Sequence, residues 1–263
     1  MTMRISLVDL NPTLPALTTQ HLMPRHGILS VGTALAASGY EVEAFTESLN
    51  RVSVPELVGR EVIGASITSS NFNRVRSLFC SLRDVSPGST LVLGGPHATL
   101  SPTEVLEYCD VVVRDEGEAT CIDLIETLAS GRELASVPGI SFHDGTRVVH
   151  NERRPYSQSA PVVENLALLK GFRHRSLLGQ ILSGGFYTGS VESSRGCPHR
   201  CSFCYENMIG GTGHRFSDLD AFVPDIRQKR DEVDPNYRAT GRESLSGSLA
   251  HLGRLVWTSQ GVR

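Results

Sequence analysis

The sequence predicts an α/β protein, with a doubly wound parallel sheet over residues 1–150, a linker over 151–185 and the start of a second α/β unit over 186–263. Two observations carry this reading. Short apolar, β-branched runs recur along the first half with helical periodicity between them, the alternation that packs helices on both faces of a parallel sheet. Three cysteines, Cys197, Cys201 and Cys204, then follow directly on another strand-like run, and α/β folds place their chemistry at strand ends.

Five runs read as strands buried on both faces: "ISLVDL" at 5–10, "VEAF" at 42–45, "VIGASIT" at 62–68, "TLVLGG" at 90–95 and "DVVVRD" at 110–115. Between them, Ile28, Val31 and Leu35 form a helical stripe closed by Gly39. Val75, Leu78, Phe79 and Leu82 form a second behind Asn71 and Asn73, and Ile122, Ile125 and Leu128 form a third before Gly131. "GISFHDGTRVVH", 139–150, reads as a hairpin turning at Asp144 and Gly145. A sheet built this way leaves a ligand crevice at the carboxyl ends of its strands.

From Asn151 to Gly185 the pattern loosens into a charged, proline-containing stretch with one short helix. "FYTGSVESS", 186–194, is strand-like again and runs into the cysteines. Behind them, Ser217 and Asp220 have the spacing of a capping box, and Leu219, Phe222, Val223 and Ile226 fall at helical intervals, which predicts a helix over about 217–230. The chain then stays polar and rich in glycine and serine until "RLVWTSQGVR", where a last strand begins.

With 25 basic and 28 acidic residues and a formal net charge of −3, the chain shows no overall attraction for nucleic acid or acidic membranes. The first residues hold too short an apolar run for a signal peptide, and no stretch approaches the roughly 18 apolar residues of a membrane span. Six cysteines, three of them clustered, suit a reduced compartment and a bound metal better than a disulfide framework, so the expected location is cytoplasmic.

The cysteine spacing is C-x3-C-x2-C without a second pair. Structural zinc usually takes four Cys or His ligands in two pairs, and His199 would have to serve as the fourth from inside the same short loop, which strains a tetrahedron. Cys80, Cys109 and Cys121 lie in apolar helix or strand contexts and read as buried thiols. Three thiolates in one loop instead favour a soft iron-sulfur centre and leave one iron of a four-iron cluster without a protein ligand. The stretch "SRGCPHRCSFC" resembles the radical S-adenosylmethionine (SAM) enzymes, whose CxxxCxxC signature has an aromatic residue before the last cysteine, here Phe203. The resemblance implies that Cys197, Cys201 and Cys204 hold a 4Fe-4S cluster whose open iron chelates SAM, fed by an external electron donor.

The first half resembles the cobalamin-binding domains that precede the radical SAM barrel in one branch of that superfamily, through "GASITSS", "LVLGGPHAT" and "VVVRDEGEAT". The resemblance implies that Ser66, Thr68, Gly94 and Gly95 lie against cobalamin. Asn11, in "DLNPTL", stands where free-standing domains have the histidine that ligates cobalt. Glycines after the fourth strand let backbone approach a flat ligand, and they also serve a plain strand-to-helix turn. The carboxylates of "DEGEA" read as a helix start favoured by the helix dipole rather than as a general acid or base. His97 reads as facing the crevice or solvent, and "IGGTGHR", 209–215, as a loop.

A radical SAM barrel resembles about six strand–helix units of about 30 residues each. The residues after Cys204 supply only the start of one, so the barrel is expected to be incomplete. Two functions are consistent with these features. One is a radical SAM enzyme, or its front part, that modifies a small molecule, for example by methyl transfer to an unactivated carbon. The other is a catalytically incomplete cobalamin-binding module.

Overall fold

The computed structural model describes residues 3–12, 25–158, 165–171, 188–192, 194–211, 213–216, 255–258 and 261–262. The expected helix over 217–230 lies outside them. Strands β1 (Arg4–Asp9), β2 (Glu41–Thr46), β3 (Val62–Ser66), β4 (Thr90–Gly94) and β5 (Val111–Val113) form a parallel sheet, and β6 (Ile140–Asp144) and β7 (Arg147–His150) extend it antiparallel. The order is β2-β1-β3-β4-β5-β6-β7. Its direction of growth reverses between β1 and β3, which opens a crevice at their carboxyl ends.

Both faces are covered. Ile5, Leu7, Val92, Val111 and Val113 turn to one side, where Ile28, Leu29 and Leu35 of α1 (His26–Ala37) meet Leu124 and Ile125 of α6 (Gly117–Ser130). Val8, Ile63, Leu91, Leu93 and Val112 turn to the other, against α2 (Val54–Leu57), α3 (Phe72–Val85), α4 (Pro96–Leu100) and α5 (Pro102–Val105). Alternate residues of one strand feed opposite cores because successive side chains point to opposite faces. That is why these strands are apolar throughout. Gly131, at φ +65°, ends α6 in the left-handed conformation that glycine adopts without cost.

The five strands and three long helices lie where their patterns put them, and the sheet is the doubly wound one expected. Three differences stand out. The hairpin turns at Gly145 and Thr146, one position later than expected, because Asp144 and Arg147 remain paired. It also joins the main sheet through β5, so the sheet has seven strands. Cys80 is exposed on α3, whereas Cys109 is buried. Burial pushes the thiols of Cys109 and Cys121 up to about 12.

The described residues of the 151–185 stretch pack on this domain. Glu152 accepts from the Gly139 amide at 2.7 Å, and the Asn151 side chain donates to the Leu134 and Val137 carbonyls at 2.8 Å each. Farther on, Leu169 bridges Ala44 in parallel, Lys170 donates to the Ala44 carbonyl at 2.9 Å, and Leu166 and Leu169 enter the core beside α1. This covers the outer edge of β2, whose backbone groups would otherwise stand open.

The later described strands are short. β8 (Thr188–Val191) pairs antiparallel with β11 (Leu255–Thr258), which pairs with β12 (Gly261–Val262). The last strand thus falls where the sequence puts it, but it lies antiparallel to β8, whereas barrel strands pair in parallel. β9 (Ser194–Arg195) pairs antiparallel with β10 (Arg215–Phe216), closing the segment that carries the cysteines.

We propose that the cooperative unit reaches Gly171 rather than ending near Asn151. In the full chain, Leu169→Ala is expected to cost about 2–5 kcal/mol, the range for a core leucine truncated to alanine. A fragment of residues 1–171 should unfold at higher denaturant concentration than one of residues 1–150. Equal midpoints would place the boundary back at 151.

Candidate functional site

The carboxyl ends of β1, β3, β4 and β5 form one edge, and buried polar groups fix it. Asn71, fully buried ahead of α3, donates through Nδ2 to the carbonyls of Leu10 at 3.1 Å and Ser66 at 3.2 Å. Its Oδ1 accepts from the Thr68 amide at 2.8 Å. One side chain thus ties the ends of β1 and β3 across the switch point. Asp9, at the end of β1, is buried and pairs with Arg25 just before α1 at 3.1 Å. Burial raises the Asp9 carboxyl above its ordinary range despite the Arg25 charge. Asn11 is held by its backbone: its amide donates to Glu47 at 2.8 Å and its carbonyl accepts from Arg74 at 3.0 Å, with Arg74 also paired to Glu47.

Ser66, Thr68, Gly94 and Gly95 do come together on this edge. The Ile67 amide donates to the Gly94 carbonyl at 2.8 Å, and the His97 amide donates to the Ile67 carbonyl at 3.1 Å. Gly95 has φ +94°, and a Cβ there would lie 2.7 Å from Ser66 Oγ and 2.9 Å from the Ile67 carbonyl oxygen. Its missing side chain therefore lets β4 close on β3. The Thr68 hydroxyl contacts Ser70 Oγ at 2.9 Å and Asn71 Oδ1 at 3.2 Å. His97 stacks on Phe72 with ring centroids 4.6 Å apart, and its Nδ1 lies 3.0 Å from Ser69 Oγ, so it is held and only partly exposed.

The fourth part of the edge is the turn between β5 and α6, where Asp115, Glu116 and Glu118 meet three arginines from later in the chain. Arg153 forks onto Asp115 at 2.6 and 2.8 Å and also donates to the Met208 carbonyl at 2.8 Å. Arg195 pairs with Glu118 at 2.7 Å, Glu192 at 3.0 Å and Glu116 at 3.7 Å. Arg215 pairs with Glu116 at 2.6 Å, donates to the carbonyls of Ser157 and Gly210 at 2.9 Å each, and lies 5.0 Å over the Tyr156 ring. Asp115 is the one described non-glycine residue with positive φ, at +62°, held there by Arg153 and by Thr99, whose hydroxyl accepts its amide at 2.8 Å.

Burial raises the Glu118 pKa, but the Arg195 hydrogen bond and charge, with the Ser30 hydroxyl, outweigh it and hold the carboxyl below the ordinary range. A depressed carboxylate contributes stability above its unfolded pKa and loses it as pH falls through the folded value. These contacts therefore persist at neutral pH and fail in acid. The helix-start role expected of Glu118 is real, since it lies in the first turn of α6, yet sequence reasoning missed its partners. The available signal was that Arg195 and Arg215 bracket the cysteines.

The cysteine segment is packed through its glycines. Gly196 has φ +80°, and a Cβ there would overlap the Gly213 carbonyl oxygen. Gly211, at φ +79°, lies against the Tyr156 ring, 3.0 Å from where its Cβ would be. Gly196 thus lets the loop close on Gly213, and Gly211 lets it pack against Tyr156. The Cys197 amide donates to the Gly211 carbonyl at 3.4 Å, and the Cys204 amide to the Cys201 carbonyl at 3.0 Å. Cys197 and Cys204 are half-buried and Cys201 is exposed, all three free of disulfides. Among the described residues, no three His, Cys, Asp or Glu side chains converge as a metal-holding group. The donor set nonetheless suits iron and sulfide, because free thiols on one loop are soft ligands.

Between this segment and the sheet edge lies an open crevice of about 690 Å³, lined by Thr99, Leu100, Arg114, Arg153, Tyr156 and Met208 among others. No helix among the described residues is long and apolar enough to cross a membrane.

Comparison with known proteins accords with this arrangement. Residues 13–125 match the family model of the B12 binding domain. The chain is 30% identical over 213 residues to the anaerobic magnesium-protoporphyrin IX monomethyl ester cyclase of Synechocystis, covering 75% of this chain and 42% of that protein. It is 25% identical over 193 residues to an uncharacterized methyltransferase of Pyrococcus horikoshii, covering 70% of this chain and 40% of that one. Its fold superimposes with a TM-score of 0.66, at 19% identity, on the radical SAM methyltransferase TsrM of Kitasatospora setae, solved with cobalamin and a [4Fe-4S] cluster, over 88% of this chain and 46% of that one. The parallel sheet and its helices therefore carry, over 13–125, a B12-binding domain match in a Rossmann-like α/β fold. The chain is also 31% identical over 174 residues to the cobalamin-dependent radical SAM methyltransferase TokK of Streptomyces tokunonensis, covering 62% of this chain and 24% of that one, so with the cysteine segment behind the B12 domain it is a partial relative of such proteins. It spans about two-fifths of the Synechocystis and Pyrococcus relatives.

Thiol labelling of the native chain should separate the six cysteines. Cys80, Cys197, Cys201 and Cys204 should alkylate readily at pH 8. Cys109 should label only on denaturation, since burial holds its thiol protonated up to about 12, and the half-buried Cys121, whose thiol is also raised, should label slowly. Mass mapping after a timed quench reads this directly, and fast native labelling at Cys109 would contradict its burial.

Proposed function

We propose that this chain is the front part of a cobalamin-dependent radical SAM enzyme. In this reading Cys197, Cys201 and Cys204 hold a four-iron four-sulfur cluster, and the edge formed after β1, β3 and β4 holds cobalamin. When bound, these groups supply reductive cleavage of SAM and a carrier for one-carbon transfer to a small substrate. The observation that carries the reading is the docking of the thiol-bearing segment onto the carboxyl edge of a B12-binding domain, through Arg153, Arg195 and Arg215. Such docking brings two cofactor regions to one face.

The residues present assign distinct roles. Three soft thiolates suit iron better than zinc, which would ask His199 to complete a tetrahedron from the same short loop. At the sheet edge, Asn11 offers an amide where a ligating imidazole would stand, and amides are poor partners for cobalt. Cobalamin held here would therefore be gripped from its rim by the loops around Ser66, Thr68, Gly94 and Gly95, without a protein nitrogen beneath the metal.

Two measurements test the proposal. After anaerobic reconstitution with iron and sulfide, the chain should bind about four irons, and Cys201→Ala should lose most of them together with the reduced-cluster electron paramagnetic resonance signal. Equal iron in parent and variant would refute the ligand assignment, and tight stoichiometric zinc would favour the other metal. Titration with cobalamin, followed by visible absorption, should give a base-off spectrum without a histidine ligand. Gly95→Val should abolish the binding by wedging β4 from Ser66 and Ile67. Absence of binding to the parent would remove cobalamin from the reading.

A further inference from the structure

We infer that the Asp115–Glu118 turn is a positioning clamp for the cysteine segment, neutralising two facing arginines that would otherwise push the neck of the loop apart. The inference rests on the proposed cluster only for its consequence, not for its geometry.

β9 and β10 form a two-residue antiparallel neck in which Arg195 stands directly opposite Arg215. All three clustered cysteines lie in the loop that this neck closes. Like charges directly opposite on paired strands are destabilising. Both guanidiniums are largely shielded from water, with side chains 15% and 14% exposed, so solvent screens little of their repulsion. Glu192, three residues before Arg195, supplies one counter-charge at 3.0 Å, and the rest of the compensation comes from the α/β domain. Glu116 reaches both arginines, at 3.7 Å to Arg195 and 2.6 Å to Arg215, and Glu118 takes Arg195 at 2.7 Å. A two-residue ladder has few hydrogen bonds of its own to resist such a force, so beside Glu192 its closure also depends on carboxylates far earlier in the chain.

A third grip lies beyond the last cysteine. Arg153, locked on Asp115, holds the Met208 carbonyl in the short helix Glu206–Ile209. The loop is thus fixed before Cys197, just behind Cys204 and at its far end, each time through one turn. That turn starts at the carboxyl end of β5, on the same edge as the proposed cobalamin loops. Asp115, Glu116 and Glu118 bear on the three clustered thiols through arginines. They are positioning residues.

The test uses the full chain and two readouts, one of which needs no iron. In Glu116→Gln/Glu118→Gln, backbone hydrogen exchange of residues 194–216 should rise by about tenfold or more while β1, β3 and β4 stay protected, because only the neck loses its counter-charge. Adding Arg195→Gln to that form should recover much of the protection, because the repulsion across the neck goes with the guanidinium, and the exchanged pair Glu118→Arg/Arg195→Glu should stay close to the parent. Chelator challenge of the reconstituted protein should strip iron severalfold faster from the double glutamine form than from the parent or the exchanged pair. Unchanged exchange of 194–216 in Glu116→Gln/Glu118→Gln, or no recovery when Arg195→Gln is added, overturns the inference, and Glu118→Gln alone decides if the double form also loses its core. A parent chain that takes up no iron would refute the cluster reading, while the exchange result still decides the clamp.

Discussion

A parallel sheet has to bury both of its faces, and the architecture of this chain derives from that requirement. Each strand must return through a helix to start again at the same end, so every carboxyl end gathers on one edge. β1, β3, β4 and β5 hand that edge four loops, and described residues of each are tied down. Asn71 joins the first two, Gly95 lets the third close on the second, and Thr99 with Arg153 sets the fourth at Asp115. A rigid edge is what a site needs, since loops held by burial cost little further entropy when a ligand arrives.

Charge is buried on this edge in an uneven way. Asp9 is pushed toward its neutral form by burial even with Arg25 beside it, whereas Glu118 is held charged because Arg195 and Ser30 return more than burial removes. A buried ion pair gives no assurance of net stability, because desolvation cancels much of the attraction. What such pairs give is register. The carboxylates of the β5–α6 turn accept only a segment that presents guanidiniums at the right places, and "SSRGC" and "GGTGHR" present them at the two ends of the cysteine loop.

The segment 151–171 also protects the margins of the sheet. Its residues cover the open side of β2 through Leu169 and send Arg153 and Arg154 back to the β5–α6 region, with Arg154 bonded to Thr120 and paired with Asp123. A stretch that is polar by composition is therefore structural by placement. Its two buried leucines, Leu166 and Leu169, supply apolar area, while Arg153 links the sheet edge to the cysteine segment.

The strands, the long helices and the cysteine triplet were legible in the sequence because each is a local property. Alternation of apolar runs with helical stripes needs only the neighbours of each residue, and C-x3-C-x2-C needs only eight positions. The residues of the sheet edge were legible as a group, Ser66, Thr68, Gly94 and Gly95, but not the partners they meet. "DEGEA" shows the limit clearly. From composition alone its carboxylates read as the start of a helix, because negative charge is favoured at a helix N-terminus. Only the fold brings Arg153, Arg195 and Arg215 within 2.6 to 3.7 Å of them, and pairing over such sequence distances is set by the path of the backbone between. The sequence thus determined which elements form and which thiols cluster. The tertiary structure decided that one acidic turn should hold them, because electrostatic partners separated by tens of residues are chosen by topology and not by local preference.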